Sequence, residues 1–164
     1  MNNKLTKLIG YLYSQTQKID MEALTNFLKE TELDVIDVAD HKHFHEENYR
    51  RNLIAHSEWF DMLVICWRAG QFSQIHDHAG SSCGFKILEG AATERIFKKT
   101  SGTFVKEIST RTYEEGQVCS AYDSDVHQIV NNGDGNLVTL HVYSPPLKMN
   151  FYSVAIDEPG IVHK

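Results

Sequence analysis

The sequence is short of cysteine, of basic side chains and of long apolar runs, and each shortage excludes a class of protein. Cys66, Cys83 and Cys119 are too few and too scattered for a disulfide framework or a zinc knuckle, so we expect reduced thiols. No apolar run approaches the roughly 18 residues of a membrane span. The N-terminal apolar stretch is too short for a signal peptide, which predicts a cytoplasmic protein.

Basic side chains are outnumbered, 16 to 22, and the net charge of −6 lacks the basic stripe of a nucleic-acid-binding protein. The length of 164 residues suits one domain. With 41% hydrophobic and 23% charged residues, the composition is that of an ordinary globular protein. We therefore predict a single domain over residues 1–164 that is a monomer and binds neither nucleic acid nor membrane.

The chain changes character along its length. Residues 1–45 are predicted to be helical, because apolar side chains recur at helical spacing at Leu5, Leu8, Ile9 and Leu12. Asp20 is a plausible N-cap for a second helix. From about residue 59 to 156, short runs rich in β-branched and aromatic residues alternate with glycines. This pattern predicts a mainly β fold, a sandwich or small barrel with an α-helical N-terminal segment.

His76 and His78 form an H-x-H pair in the first half of the β region. Residues two apart on a strand point to the same face, so two imidazoles would lie side by side as a base for a metal ion. On its own, the pair is more often a chance surface feature than a metal site.

The surrounding glycines change that balance. Gly70 precedes the pair, Gly90 follows it, and a second group is formed by Gly116, His127 and Asn131. This arrangement resembles the two-part signature of the cupin superfamily, small jelly-roll β-barrels that hold one metal inside. The sequence departs from that signature in two places. Cys83 stands at the glutamate position, and the Pro-x-Gly of the second motif is replaced by Tyr122 and Ser124.

Five further motifs occur in the order found in the cysteine dioxygenases: YRRN, ICW, HDH-x4-C, VHQIVN and LHVYSPP, between Tyr49 and Pro146. The chain is therefore identified by resemblance as a member of the type I family, over about residues 45–150. The resemblance implies non-haem Fe(II) held by His76, His78 and His127. It implies that L-cysteine chelates the iron through thiolate and amine, and that both atoms of O2 end on sulfur as cysteine sulfinate.

The metal is not fixed by the residues themselves, since three imidazoles suit zinc, copper, nickel and iron alike. Two alternatives also stay open for the third ligand. His127 could be a satisfied core histidine, and His141 could take its place, although the spacing from Gly116 to Asn131 favours His127.

The resemblance assigns the substrate carboxylate to Arg51, because a planar guanidinium can hold a carboxylate bidentately. Tyr49 is the neighbouring hydroxyl donor, and Ile65 and Trp67 are expected to line the pocket. The residues alone do not distinguish Arg51 from Arg50, and either could be a solvated surface charge.

Thr139, His141 and Tyr143 alternate on one strand and so share a face. In the family a Ser-His-Tyr relay places the tyrosine hydroxyl beside the metal, and here threonine stands at the serine position. A plainer reading makes Tyr143 a barrel-core aromatic and His141 its hydrogen-bond partner. Cys83 aligns with a family cysteine that forms a thioether with this tyrosine in animal members, so a Cys83–Tyr143 crosslink is expected in part of the molecules.

Two other functions compete with cysteine dioxygenation. The first is a dioxygenase of 3-mercaptopropionate, although those relatives typically carry glutamine at the position of Arg51. The second is a metal-binding cupin without oxygenase activity, against which Cys83 counts. A further histidine cluster, His41, His43 and His45, lies among charged residues without a glycine framework, and we interpret it as a solvated segment. The family's Ser-Pro bond is cis, which predicts a cis peptide at Ser144–Pro145.

Overall fold

In the computed structural model, residues 3–121 and 125–154 are described. The helical elements are α1 (Asn3–Tyr13), α2 (Met21–Glu30) and a 3-10 helix (Val35–His41). The strands are β1 (Arg50–His56), β2 (Asp61–Trp67), β3 (Ser82–Glu89), β4 (Ala91–Ser101), β5 (Phe104–Glu114), β6 (Val118–Ala121), β7 (Val126–Val130), β8 (Leu137–Ser144) and β9 (Ser153–Val154). Tyr122 and Ser124, which replace the Pro-x-Gly motif, lie outside the described residues.

The helical N-terminal segment is confirmed. Asp20 caps α2 by accepting a hydrogen bond from the Ala23 amide at 3.3 Å. The buried face of α2 packs on β3, where Leu28 comes so close that a Cβ on Gly84 would lie 3.0 Å from it. The Lys86 ammonium is buried at this contact and donates to the carbonyl oxygens of Leu28 and Thr31 at 3.2 and 2.6 Å.

The strands form two sheets, in the orders β1-β2-β8-β3-β6 and β7-β4-β5-β9. Side chains of β2 and β8 alternate between two cores, because successive residues of a strand point to opposite faces. One set, including Val64 and Leu140, packs against the helices, and the other, including Ile65 and Tyr143, faces the inside of the barrel. The mainly β fold with a curled sheet is thus confirmed.

The first sheet begins earlier than the sequence pattern indicated. β1 starts at Arg50, ahead of the predicted start near residue 59. As the edge strand of its sheet, β1 leaves most of its residues partly or fully exposed, so its sequence RRNLIAH lacks the apolar run of an inner strand. The last predicted strand run, MNFYSVAI, forms β9 at Ser153–Val154, and its final two residues lie outside the described part.

The peptide bond between Ser144 and Pro145 is cis, as the sequence motif predicted. Among residues 3–121 and 125–154, no helix has the length and apolar character needed to cross a lipid bilayer.

Candidate metal centre and substrate pocket

The segment between β2 and β3, which carries His76 and His78, meets His127 of β7 inside the barrel. His76 and His127 lie directly opposite each other, and their backbones exchange two hydrogen bonds of 2.9 Å. All three side chains are buried. The Nε2 atom of His127 lies 3.2 Å from Nε2 of His76 and 3.2 Å from Nε2 of His78.

This spacing fits a metal ion. With metal–nitrogen bonds of about 2.0–2.1 Å, nitrogens 3.2 Å apart subtend roughly 100° at the ion. The ligand atoms of all three histidines lie within 4.8 Å of one another, and they form the only such group found among the described residues. This group does not include His141, nor does it include the cluster of His41, His43 and His45.

The metal-binding nitrogens must carry a free lone pair, and the protein environment favours this state. Burial, with the nearby His127 as the second cause, lowers the pKa of His76 to about 3. A neutral imidazole is the form that binds a metal.

The far sides of two of the rings are held by hydrogen bonds. His76 Nδ1 lies 2.7 Å from the Gln74 carbonyl oxygen, and His127 Nδ1 lies 2.8 Å from Oε1 of Glu94. Such contacts fix a histidine's orientation and tautomer, so that Nε2 faces the metal.

Glu94 is a buried carboxylate that the sequence analysis did not single out. Its other oxygen, Oε2, accepts from the Tyr113 hydroxyl at 3.2 Å and from the Cys119 thiol at 3.8 Å. Burial alone would raise the pKa of Glu94, but the hydrogen bond and charge interaction with His127 outweigh it and lower the pKa. Glu94 therefore stays ionised beside His127. Its place on the inward face of β4, two residues after buried Ala92, is the sequence signal that could have identified it.

Asp77, between the two histidines of the pair, points away from the metal site. It accepts hydrogen bonds from the Ala79 and Asn150 amides at 3.1 and 3.2 Å, and from the Tyr152 hydroxyl at 2.6 Å. These contacts fasten the segment that follows β8 beside the His76–His78 turn. Met149 of that segment lines the cavity in front of the histidines.

Thr139, His141 and Tyr143 form a continuous hydrogen-bonded chain along β8. Thr139 Oγ1 lies 2.9 Å from His141 Nε2, and His141 Nδ1 lies 3.0 Å from the Tyr143 hydroxyl. The indole Nε1–H of Trp67 donates to Thr139 at 3.0 Å, a contact that the sequence did not predict. Burial lowers the pKa of His141 and raises that of Tyr143, so both groups are neutral in the folded protein.

Cys83 on β3 is paired directly with Tyr143 on β8. Directly opposed residues of an antiparallel pair share a face and place their Cβ atoms about 4.5–5.5 Å apart. The Cys83 sulfur also lies 3.9 Å from His141 Nδ1. Burial raises the pKa of the Cys83 thiol. It also raises the pKa of Cys66 to about 11 and that of Cys119 to about 12. All three cysteines are buried and free of disulfides.

Arg51 and Arg50 take different places at the start of β1. The Arg51 guanidinium lies 5.7 Å from the centre of the Tyr143 ring and lines the cavity in front of the histidines. Arg50 does not line that cavity. The ring of Tyr49 stacks on Trp67 at 4.4 Å between centroids, beside Arg51.

A family model of cysteine dioxygenase type I matches residues 3–153. The chain belongs to the cysteine dioxygenase type I family. It is 31% identical over 148 residues to cysteine dioxygenase type 1 of Homo sapiens, with 87% of this chain and 73% of that protein covered. The enzyme of Rattus norvegicus is 33% identical over the same shares. Membership of this family supports thiol dioxygenase activity.

Solved structures of other proteins share the fold. A double-stranded β-helix protein from Klebsiella pneumoniae superposes with a TM-score of 0.59 at 17% identity, over 75% of this chain and 94% of that one. An oxalate decarboxylase from Bacillus subtilis gives 0.54 at 17% identity, over 70% of this chain and 30% of that one. At such identities the likeness concerns the cupin fold alone.

In this cysteine dioxygenase family member, every residue that the sequence analysis assigned to the site except Thr139 lines one cavity of about 20 Å³. Thr139 lies behind the lining and contacts two of its residues, His141 and Trp67. The lining also includes three residues that the sequence analysis missed, namely Ser73, Ile129 and Met149. Met149 follows the Ser-Pro-Pro segment and carries no periodic or motif signal, so only the folded chain reveals it.

Proposed function

We propose that this protein oxidises L-cysteine with O2 to cysteine sulfinate, with Fe(II) held by His76, His78 and His127. One observation carries the proposal. The three buried imidazoles and the Arg51 guanidinium face the same small cavity, so a metal site and a carboxylate site lie within the reach of one small molecule.

The donor set suits Fe(II). Three neutral imidazoles leave the charge of a divalent ion uncompensated and leave ligand positions open. When bound, the iron would lower the pKa of a coordinating thiol, so that it binds as thiolate, and would activate O2. None of the residues that line the cavity is an Asp or Glu. A substrate amine therefore has no carboxylate partner there, which favours a neutral, metal-coordinated amine.

Arg51 is proposed to bind the substrate carboxylate. Its charge reaches the pocket, since it adds to the lowering of the His141 pKa by burial and opposes the rise that burial gives to the pKa values of Cys83 and Tyr143. No ion pair involving Arg51 is found among the described residues, so the guanidinium is available to an anion. A planar guanidinium can hold a carboxylate through two parallel hydrogen bonds. Tyr49, stacked on Trp67, is proposed as a second hydroxyl donor to the same group.

Tyr143 is proposed to keep its proton and to present its hydroxyl to the substrate. Burial raises its pKa, the largest cause, and the neighbouring Cys83 raises it further. His141, fixed by Thr139, holds the hydroxyl in place at 3.0 Å. The narrow cavity, which by its volume admits about one water molecule, would exclude bulk solvent from the reacting sulfur.

The test is O2 consumption by the Fe(II)-loaded protein, with the sulfinate identified by mass. We expect uptake with L-cysteine at one O2 per sulfinate. Arg51→Ala should remove most of this activity, whereas Arg68→Ala, which removes an exposed arginine outside the cavity, should keep it. Absence of uptake with any thiol, despite bound iron, would leave a metal-binding cupin without oxygenase activity.

The second substrate to compare is 3-mercaptopropionate. It has the same thiol and carboxylate as cysteine and lacks the amine. Because no lining carboxylate is there to recognise an ammonium group, the cavity offers no ionic discrimination between the two. Higher kcat/KM for 3-mercaptopropionate would keep the chemistry and assign the alternative substrate.

We also propose that the protein acts as a cytoplasmic monomer on a small thiol and O2, without nucleic acid or membrane partners. Three buried, unpaired cysteines suit a reducing compartment. Sedimentation of the purified protein tests the oligomeric state directly.

A further inference from the structure

A second, much larger cavity opens directly outside the metal pocket. Its volume is about 670 Å³, compared with about 20 Å³ for the inner cavity. Tyr49 and Arg51 line both cavities and therefore form the partition between them. The remaining outer lining consists of His45, Asn48, Arg50, Phe72 and Gln74.

The charge of this outer cavity is opposite to that of the protein. The chain carries a formal net charge of −6, but the outer lining contains two arginines and no aspartate or glutamate. Among the described residues, neither Arg50 nor Arg51 is recorded in an ion pair, whereas Arg95 pairs with Glu107. An anion that approaches the mouth therefore meets two guanidinium groups that no carboxylate neutralises.

The two arginines reach this space from opposite faces of edge strand β1. Arg51 is paired with Ile65, whose side chain faces the barrel interior, and Arg50 is paired with Cys66, whose side chain faces away from it. Arg51 thus serves both cavities, and Arg50 lines the outer cavity alone. The arginines are placed in sequence from the solvent towards the metal site.

We propose that the outer cavity is a weak carboxylate-binding site, in which Arg50 captures the carboxylate of the substrate before it passes to Arg51. The assignment of the captured carboxylate to a thiol substrate rests on the function proposed above. The carboxylate site itself rests only on the cavity and its charges. Arg50 is a substrate-capturing residue and takes no part in the chemical step.

Kinetics at several salt concentrations test the capture role. An exposed cation attracts a carboxylate and raises the rate of encounter, and salt screens this effect. L-Cysteine is a zwitterion at neutral pH, so the attraction acts at short range on its carboxylate end. We expect Arg50→Gln to lower kcat/KM for L-cysteine by about threefold at low ionic strength, to leave kcat within twofold, and to flatten the salt dependence. Lys106→Gln, an equal charge change at an exposed site on β5, is the control and should behave as wild type. Arg50→Gln indistinguishable from Lys106→Gln would overturn the proposal.

A binding measurement without catalysis separates this proposal from the proposed function. Metal-free protein is titrated with propionate, and with propionamide as the neutral control, while the Arg50 Nε–H resonance is followed by NMR. A saturable shift with propionate alone, which persists in Arg51→Gln, supports a separate carboxylate site even if the protein oxidises no thiol. No shift at Arg50 would exclude the site whatever the activity.

Discussion

Glu94 gives the sharpest test of how the structure prepares the metal centre. Its carboxylate accepts a 2.8 Å hydrogen bond from the ring of His127, on the side opposite the nitrogen that faces the metal. Glu94→Gln keeps the size of the side chain and an oxygen acceptor but removes the negative charge. The substitution therefore isolates the charge of the carboxylate from its packing.

The size of the effect follows from the strength of this hydrogen bond. Bonds to charged groups contribute about 1.5–3 kcal/mol, and neutral ones about 1 kcal/mol. The difference of about 0.5–2 kcal/mol corresponds to roughly two- to thirtyfold in an equilibrium constant, at about 1.4 kcal/mol per decade. Losses of about 10–100-fold are typical when the hydrogen-bond partner of a metal-binding histidine is changed. We expect Fe(II) to bind about tenfold more weakly to Glu94→Gln.

The assay is anaerobic competition for Fe(II) between the protein and a coloured chelator at neutral pH. Glu107→Gln is the matched control, because Glu107 is also a carboxylate on a β-strand but pairs with Arg95 on the outside of the barrel. Urea unfolding of the metal-free variants shows whether either substitution also changes stability. The ratio of the two variants' dissociation constants, measured on folded protein, is the quantity of interest.

Equal Fe(II) affinity in Glu94→Gln and Glu107→Gln, with both proteins folded, would refute the reasoning. It would mean that the backbone bonds between His76 and His127 orient the ring without help from the carboxylate. Tyr113→Phe provides a second check. A loss of Fe(II) affinity as large as that in Glu94→Gln would assign the effect to the hydroxyl group that holds Glu94, and not to the charge of the carboxylate.

Three further predictions concern stability and covalent chemistry. Gly90→Ala should lower the free energy of unfolding by more than Gly116→Ala. The φ angles of Gly90 and Gly116 are +80° and +86°, a conformation that costs a residue with a side chain about 1–2 kcal/mol. Only at Gly90 would a Cβ also meet a carbonyl oxygen, at 2.4 Å. Equal losses of unfolding free energy in the two variants would contradict the clash. Lys86→Met should cost about 1–3 kcal/mol, because the end of α2 loses its buried donor. Burial lowers the pKa of Lys86 from 10.5, so unfolding takes up a proton at this side chain between the lowered pKa and 10.5. The stability of the wild type relative to Lys86→Met should therefore rise with pH there, whereas the raised pKa values of the buried cysteines act on both proteins alike. Turnover should yield chains lighter by two hydrogens, because a sulfur–carbon bond joins Cys83 to the opposed Tyr143 ring while O2 takes up two electrons and two protons. Cys83→Ser should abolish this mass change, and the control Cys66→Ser should keep it. An unchanged mass of the wild-type chain after turnover would exclude the crosslink.

The sequence was most informative where a local pattern has one structural meaning. The apolar spacing in the first helix and the cap at Asp20 predicted α1 and α2, and the β-branched runs predicted the inner strands. β1 was missed because an edge strand exposes much of its length and so carries no continuous apolar run. Local patterns therefore miss a strand such as β1, in which exposed charged and polar residues interrupt the apolar run, although they predicted the edge strand β9 from its aromatic and β-branched residues.

For the candidate site, alternation along one strand was sufficient to group residues but not to find their partners. It placed Thr139, His141 and Tyr143 on one face, and the structure joins them by hydrogen bonds. It could not show that Glu94 would lie against His127, since that contact depends on the pairing of β4 with β7. Contacts between distant strands depend on register, which the sequence of neither strand contains by itself.

Register also links the site to the helices that cover the barrel. On β8, Thr139, His141 and Tyr143 lie on the face towards the barrel interior, while the residues between them pack against α1 and α2. A shift of one residue would move the whole set to the opposite face. Because both faces of β8 are buried, hydrophobicity distinguishes the two faces only weakly. Which face points to the cavity then depends on the size and shape of the side chains packed on each face. A Cβ at position 84 would lie 3.0 Å from Leu28, so Gly84 lets the helix approach the face of β3 opposite Cys83. The N-terminal helices, which touch none of the cavity, thus fix which side of β3 and β8 faces the metal centre.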